Sequence, residues 1–270
     1  MAKSIQGVNL QRHNGYAVCH IIDLSDELKC LIRKHLSTIC HGSHVSDYLK
    51  DPMYNYRSTI NSFLERYDKK IDETKKGMIG EFLSHIIITS LFDEYAITSA
   101  FFNLEEKSIK KGFDLILFNI VDNTVWITEV KSGNLHKSKT HDQTTKKLLN
   151  TAKNDLIKRL NEQETQYWHN AINHVRAAVH DEADYRSVLL KILRENHGKD
   201  AAAGKAKSQD KNVVLISNLF APLSTKMSNG PAQTLADNLS DKKVFAKTVV
   251  FSIQKSTYRK VKAFLQSEIQ

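Results

Sequence analysis

Two acidic residues and a lysine stand at the ends of two neighbouring apolar stretches of this sequence. Asp114 lies at the start of the stretch 113–118. Glu129 lies at the end of the stretch 125–130, and Lys131 directly follows it. Such stretches predict buried strands, in which an unpaired carboxylate costs several kcal/mol. The turn-forming residues between them predict a hairpin that brings the two acids together. A divalent cation held by both acids would account for their charge.

These side chains suit the hydrolysis of phosphodiester bonds. Magnesium prefers oxygen ligands and keeps several waters, so one or two carboxylates and a substrate phosphate are enough to hold it. A bound metal lowers the pKa of water and neutralises charge in the transition state. Lys131 could orient or deprotonate the attacking water, or pair with the phosphate. The alternative is an ordinary ion pair between Lys131 and one of the acids at the end of a strand.

A third acid, Glu81, lies on a predicted helix with apolar residues at helical spacing over most of its circumference. Glu81 shares the opposite side of the helical wheel with Ser84 and His85. Because such a helix should be buried, Glu81 needs a partner, and the metal or Lys131 would provide one. The alternative is a surface pairing near the helix start, where the helix dipole also favours a negative charge.

The order of these elements resembles the PD-(D/E)xK nuclease superfamily, which has the restriction-endonuclease-like fold. Three motifs carry the resemblance, and they read K-G-M-I-G-E at 76–81, K-G-F-D at 111–114 and E-V-K-S-G at 129–133. The match spans roughly residues 75–160. Phenylalanine replaces the proline of the nominal motif before the first strand acid. The resemblance implies that the metal ligands are Asp114, Glu129 and Glu81, and that the catalytic lysine is Lys131.

More narrowly, the chain resembles the nuclease subunit of Hachiman-type antiphage defence systems. This resemblance implies a bacterial DNA nuclease that uses Mg²⁺ or Mn²⁺ and works with a large helicase subunit. The helicase would sense damaged or foreign DNA and restrain the nuclease. Two other functions stay open. The fold could bind DNA or a protein partner without hydrolysis, or the enzyme could act on RNA.

The charge of the chain also favours nucleic acid as a partner. The formal net charge is +9 and the isoelectric point is about 9.3. Between residues 131 and 159, eight basic residues stand against two acidic ones. This concentration beside the candidate site could track a phosphate backbone, although most lysine runs form a solvated helix face. The candidate contacts are Lys137, Lys139, Lys146 and Lys147.

The sequence predicts a cytoplasmic protein with no membrane association. Its three cysteines lack the spacing of a zinc site and form no even set for disulfides. The N-terminal residues contain no apolar leader, and no stretch reaches the ~18 apolar residues that a membrane span needs.

We predict an α/β fold with a restriction-endonuclease-like mixed central sheet flanked by helices, and with additional helical decorations. Residues 1–70 are expected to form a strand and helices that pack on a nuclease core at 71–270. Within the core, 98–102 could be the first strand, and the polar stretch 197–211 is expected to form a mobile loop. Gln143 could lie close to the metal, but a capping box with Thr140 explains it better.

Overall fold

In the computed structural model, which describes residues 3–102 and 112–269, seven strands pair into one mixed sheet. Their order across the sheet is β1-β2-β7-β6-β5-β4-β3. The inner strands β2, β7, β6 and β5 run parallel, and both edges of the sheet are antiparallel. The strands are β1 (Val8–Arg12), β2 (Tyr16–Ile21), β3 (Tyr95–Ile97), β4 (Leu115–Asn119), β5 (Thr124–Asn134), β6 (Asn212–Phe220) and β7 (Lys247–Lys255).

Helices cover both faces of this sheet, as the continuous apolar runs in the parallel strands require. The helices are α1 (Asp26–His41), α2 (Tyr56–Asp68), α3 (Asp72–Leu91), α4 (His141–Asn161), α5 (Thr165–Ala178), α6 (Arg186–Lys191), α7 (Lys199–Ala202), α8 (Gly230–Asp241) and α9 (Arg259–Ser267). A π-helical segment joins α6 to α7. The α/β architecture with a mixed sheet and flanking helices is therefore confirmed.

The two faces of the sheet carry different sets of helices. On one face, apolar residues of α1, α2, α3 and α9 share a core with the sheet. On the opposite face, α4, α5 and α6 form a second core, and α8 packs over β2 and β7. Along β5, Val130 belongs to the α3 side, whereas Ile127 belongs to the α4 side. Because side chains alternate along a strand, Glu129 and Lys131 face α4.

The first seventy residues complete the sheet and its core. Strand β2 pairs in parallel with β7, and β1 pairs with β2 at the edge of the sheet. Helices α1 and α2 contribute Leu28, Ile32 and Phe63 to the same core as α3. The predicted boundary at residue 70 thus falls between α2 and α3, within a continuous core.

Two segments differ from the sequence-based expectation. The strand expected over 98–102 lies instead at Tyr95–Ile97, because the N–H groups of Phe101 and Phe102 donate to carbonyls at the end of α1 and leave the sheet. The stretch 197–211 contains helical turns rather than an open loop. It is attached to the end of α4, where the Asn161 side chain accepts a hydrogen bond from the Ser208 N–H at 3.0 Å. The mobility expected for it stays a prediction.

Candidate active site

The β4–β5 hairpin brings Asp114 and Glu129 together. Leu115 pairs with Thr128, so the same register continued by one residue puts Asp114 opposite Glu129 on one face of the sheet. Asp114 directly precedes β4, and its Oδ2 accepts a hydrogen bond from the Val130 N–H at 2.8 Å. The Asp114 carboxylate thus continues the hydrogen bonding to β5 at the point where the backbone pairing of β4 ends. The predicted hairpin is confirmed.

Glu129 is completely buried, and basic side chains neutralise it. Its exposed fraction is 0%. Arg159 donates from Nη1 to Oε2 at 2.8 Å and from Nη2 to Oε1 at 2.7 Å. Lys131 lies 2.8 Å from Oε1 through its Nζ. Bidentate pairs between arginine and a carboxylate are among the stronger hydrogen bonds in proteins, so Glu129 is held in one orientation.

Lys131 connects the buried acid to a more exposed one. Its ammonium group also lies 2.8 Å from Oδ2 of Asp155 on α4. The exposed fraction rises from 0% for the Glu129 side chain to 26% for Lys131 and 43% for Asp155. The cluster of Asp114, Glu129, Lys131, Asp155 and Arg159, here called the carboxylate cluster, therefore opens to solvent on the Asp155 side.

Helix α4 supplies the two residues of this cluster that were not predicted from the sequence. Asp155 and Arg159 directly precede Leu156 and Leu160, two buried residues of its inner stripe. Their spacing of four puts them on one side of the helix. The helix begins with the expected capping box, in which the side chains of residues 140 and 143 cap each other's backbone N–H groups. The sequence signal for these two residues was a pair of opposite charges beside the buried stripe of a helix that follows a strand with a buried acid.

The pKa values follow from this burial and pairing. Burial, with a further contribution from Asp114, raises the pKa of Glu129 to about 7, although Arg159 and Lys131 oppose the shift. Burial acts to lower the pKa of Lys131, but the Glu129 and Asp155 carboxylates outweigh it and raise that pKa above its ordinary value. Lys131 is therefore a cation at neutral pH, and Glu129 gains or loses its proton near neutral pH.

Glu81 approaches the sheet from the other face. It is half-buried on α3, next to Gly80, which packs against Ser132 of β5 and Asn218 of β6. Ser132 points to the face opposite Lys131. The predicted participation of Glu81 in the metal site stays a prediction. Lys111, which belongs to the K-G-F-D motif, lies outside the described residues.

The carboxylate pair fits a hard cation with few protein ligands. Within residues 3–102 and 112–269, no group of three or more His, Cys, Asp and Glu side chains is arranged to hold a metal. Asp114 and Glu129 supply oxygen donors alone, and Mg²⁺ commonly binds one or two carboxylates while water and substrate phosphate complete its shell. A metal that binds Glu129 must displace Arg159 or Lys131 from one of the carboxylate oxygens.

The predicted nucleic-acid contacts lie towards the start of α4. Lys137, Lys146 and Lys147 are exposed, and Lys139 is partly exposed. Lys146 lines a groove of about 350 Å³ between α4 and α8. At 1.5 Å per residue, Lys147 lies about 12 Å along the helix axis from Asp155. A phosphate backbone that contacts Lys147 could thus reach the carboxylate cluster with a phosphate farther along the same strand.

Comparisons with known proteins place the chain in a family. In the part of the chain that the structure describes, no helix combines the length and apolar character needed to cross a membrane. Among curated proteins, none gives a significant match to this sequence. The HamA family, however, matches residues 5–269. The chain therefore belongs to the HamA family, in agreement with its resemblance to Hachiman-type defence proteins.

Proposed function

We propose that this protein is a metal-dependent DNA nuclease of a bacterial antiphage defence system. The observation that carries the proposal is the meeting of Asp114, Glu129 and Lys131 on one face of the β4–β5 hairpin. Two carboxylates and an ammonium group at one point suit the hydrolysis of a phosphodiester. Membership of the HamA family supports a role in defence.

In this proposal, Asp114 and Glu129 hold Mg²⁺ or Mn²⁺. Glu81 would hold the metal or its water only if its side chain reaches past Ser132 from α3, which packs on the opposite face of the sheet. The metal would lower the pKa of the attacking water and neutralise charge on the phosphate. Because its pKa is raised, Lys131 is protonated and acts by orienting the water or by stabilising charge on the phosphate. Asp155 holds the Lys131 ammonium group at 2.8 Å and so positions it.

The substrate and partner follow from charge and family. The basic residues on and before α4, Lys137, Lys139, Lys146 and Lys147, would bind the DNA backbone. A large helicase subunit would regulate cleavage, as the resemblance to Hachiman nucleases implies. Hydrolysis of DNA is favoured over RNA by that resemblance, and parallel digestion of duplex DNA, single-stranded DNA and RNA separates the two substrates.

The direct test is plasmid cleavage in Mg²⁺. We expect nicking or degradation by the wild-type protein, loss of cleavage on addition of a chelator, and no cleavage by Glu129→Gln or Lys131→Ala. Lys69→Ala is the matched control, since Lys69 is exposed at the end of α2 and pairs only locally with Glu65. Cleavage by either site variant at the wild-type rate would refute the proposal.

A second function is a DNA- or partner-binding module without hydrolysis. It is favoured by the neutralisation of Glu129, whose two oxygens are both occupied by Arg159 and Lys131. A purely structural ion cluster would look the same. This alternative predicts DNA binding that is insensitive to chelator, with no cleavage in Mg²⁺ or Mn²⁺ and with the partner subunit present or absent.

A further inference from the structure

Arg159 occupies the position from which a cation would contact Glu129. We propose that Arg159 takes the place of the metal ion in the metal-free protein and withdraws from Glu129 when the ion binds. Arg159 is thus a positioning residue that competes with the metal. The inference rests on the proposed function, because it assumes that Glu129 is a metal ligand.

The first argument is that Glu129 cannot move, whereas Arg159, the partner of its Oε2, can. Glu129 is fully buried in the middle of β5, between strands β4 and β6, so its carboxylate cannot turn to solvent. Arg159 lies in the last turn of α4, which ends at Asn161. Its guanidinium takes both carboxylate oxygens at 2.7 and 2.8 Å. A metal on Glu129 needs at least one of these oxygens.

The second argument is that Arg159 has other partners available. Its Nη1 also donates to the Gly112 carbonyl at 3.1 Å, and this bond can persist after Glu129 is released. Asp155 stands one helical turn earlier on α4, and its carboxylate already favours the charged form of Arg159. A small rotation of the side chain would pair Arg159 with Asp155 in the i, i+4 arrangement.

The third argument is charge balance within the carboxylate cluster. Three carboxylates face one lysine and one arginine, so the metal-free cluster carries a formal charge of about −1. When Arg159 moves from Glu129 to Asp155, the remaining group of Asp114, Glu129 and Lys131 keeps a formal charge of about −1, which a divalent cation offsets. A buried carboxylate without any cation is costly. Arg159 therefore pairs with the Glu129 carboxylate and orients it until the metal replaces it.

The test measures Mn²⁺ binding to the protein without DNA, and electron paramagnetic resonance detects the free and bound ion. We expect Arg159→Gln to bind Mn²⁺ at least about fivefold more tightly than the wild type, because a competing charge has been removed. The gain should disappear when Glu129→Gln is added. Equal affinity of the wild type and Arg159→Gln, or absence of Mn²⁺ binding to both, would overturn the inference.

A second measurement needs no variant. In the metal-free wild type, the bidentate pair should restrict rotation of the Arg159 guanidinium and give resolved Nη signals in nitrogen-detected NMR. Addition of Mg²⁺ should shift or broaden these signals, and unchanged signals at saturating Mg²⁺ would contradict the inference. Plasmid cleavage separates the two proposals. If the wild type cleaves in Mg²⁺ while Arg159→Gln gains no Mn²⁺ affinity, only the role of Arg159 fails.

Discussion

Asp114 and Glu129 face each other across the end of the β4–β5 hairpin, although fifteen positions separate them in the sequence. The backbone hydrogen bonds between β4 and β5 end at Leu115. Beyond that point, the Asp114 side chain accepts a hydrogen bond from the Val130 N–H. The two acids are thus placed together by strand register and by one side chain-to-backbone hydrogen bond. A hairpin is a rigid support, and rigid elements position catalytic groups more accurately than loops do.

The pH dependence of stability should report the burial of Glu129. Its pKa in the folded protein is about 7, above the ordinary value of 4.5. The contribution of protonated Glu129 to the free energy of unfolding is therefore fully present below about pH 4.5. About 3 kcal/mol of stability is lost as the pH rises through 7. We expect the free energy of unfolding of Glu129→Gln to lack this loss.

The measurement is urea denaturation of both metal-free proteins between pH 5 and 8. His41 and His197, which are partly buried, have lowered pKa values in the folded protein. Their protonation in the unfolded state, near the ordinary pKa of about 6.5, therefore also changes stability within this window. The difference between the two proteins removes their contribution. A difference that stays constant across the pH range would contradict the raised pKa of Glu129.

Asp155 should affect activity more than stability. Asp155 is 43% exposed, and exposed ion pairs contribute only about 0–1 kcal/mol. Asp155→Asn removes the second carboxylate that holds Lys131, so the ammonium group becomes less well positioned. We expect cleavage to slow about tenfold, with little change in the melting temperature.

The matched control for Asp155 is Asn154→Ala, an exposed position next to it on α4. Asp155→Glu should recover part of the rate because it restores the charge. If Asp155→Asn cleaves as fast as the control, Asp155 has no role in positioning Lys131.

The contact between α3 and β5 requires glycine at position 80. A Cβ added to Gly80 would lie 1.9 Å from Ser132 Oγ and 2.9 Å from Ser132 Cβ. Gly80→Ala should therefore push α3 and its Glu81 away from the sheet, at a cost of about 1–3 kcal/mol. Thermal unfolding should show a lower melting temperature for this variant.

Two further variants make this test specific. Gly80→Ala combined with Ser132→Gly removes the clashing atoms and should recover most of the stability. Gly77→Ala is the control on the same helix, since nothing lies within 4 Å of a Cβ at that position, and alanine there should stabilise α3 by about 0.5–1 kcal/mol. Equal effects of the two alanine substitutions would contradict the close contact.

The sequence predicts the hairpin and its acids well because the signals are local. Apolar stretches, turn residues and the i, i+2 spacing of Glu129 and Lys131 all lie within twenty residues of each other. The inner stripe of α4 and its capping box are equally local. Such patterns fix which face of an element is buried, independently of the rest of the chain.

Long-range packing decides what the sequence did not predict. Asp155 and Arg159 join the site only because α4 crosses the same face of β5 as Glu129. The strand shifts from 98–102 to Tyr95–Ile97 because the backbone of Phe101 bonds to α1. Neither the crossing of a helix nor a contact with a distant helix end leaves a periodic signal in the sequence.

The lysines at the start of α4 should set the salt dependence of DNA binding. Removing one cation that neutralises a DNA phosphate changes the slope of log affinity against log salt by about 0.9. We expect Lys146→Ala combined with Lys147→Ala to weaken binding to all DNA sequences alike and to reduce the slope by about 1–2. Fluorescence anisotropy with a labelled duplex at several salt concentrations measures both quantities.

The control is a second pair of adjacent exposed lysines, Lys69 and Lys70, at the end of α2. Their double alanine variant loses the same net charge, but α2 packs on the opposite face of the sheet from α4. It should therefore leave the salt slope unchanged. A defined phosphate path along α4 requires an effect that is specific to Lys146 and Lys147. Equal reductions in the salt slope for both lysine pairs would therefore mean that DNA binding depends on net charge alone.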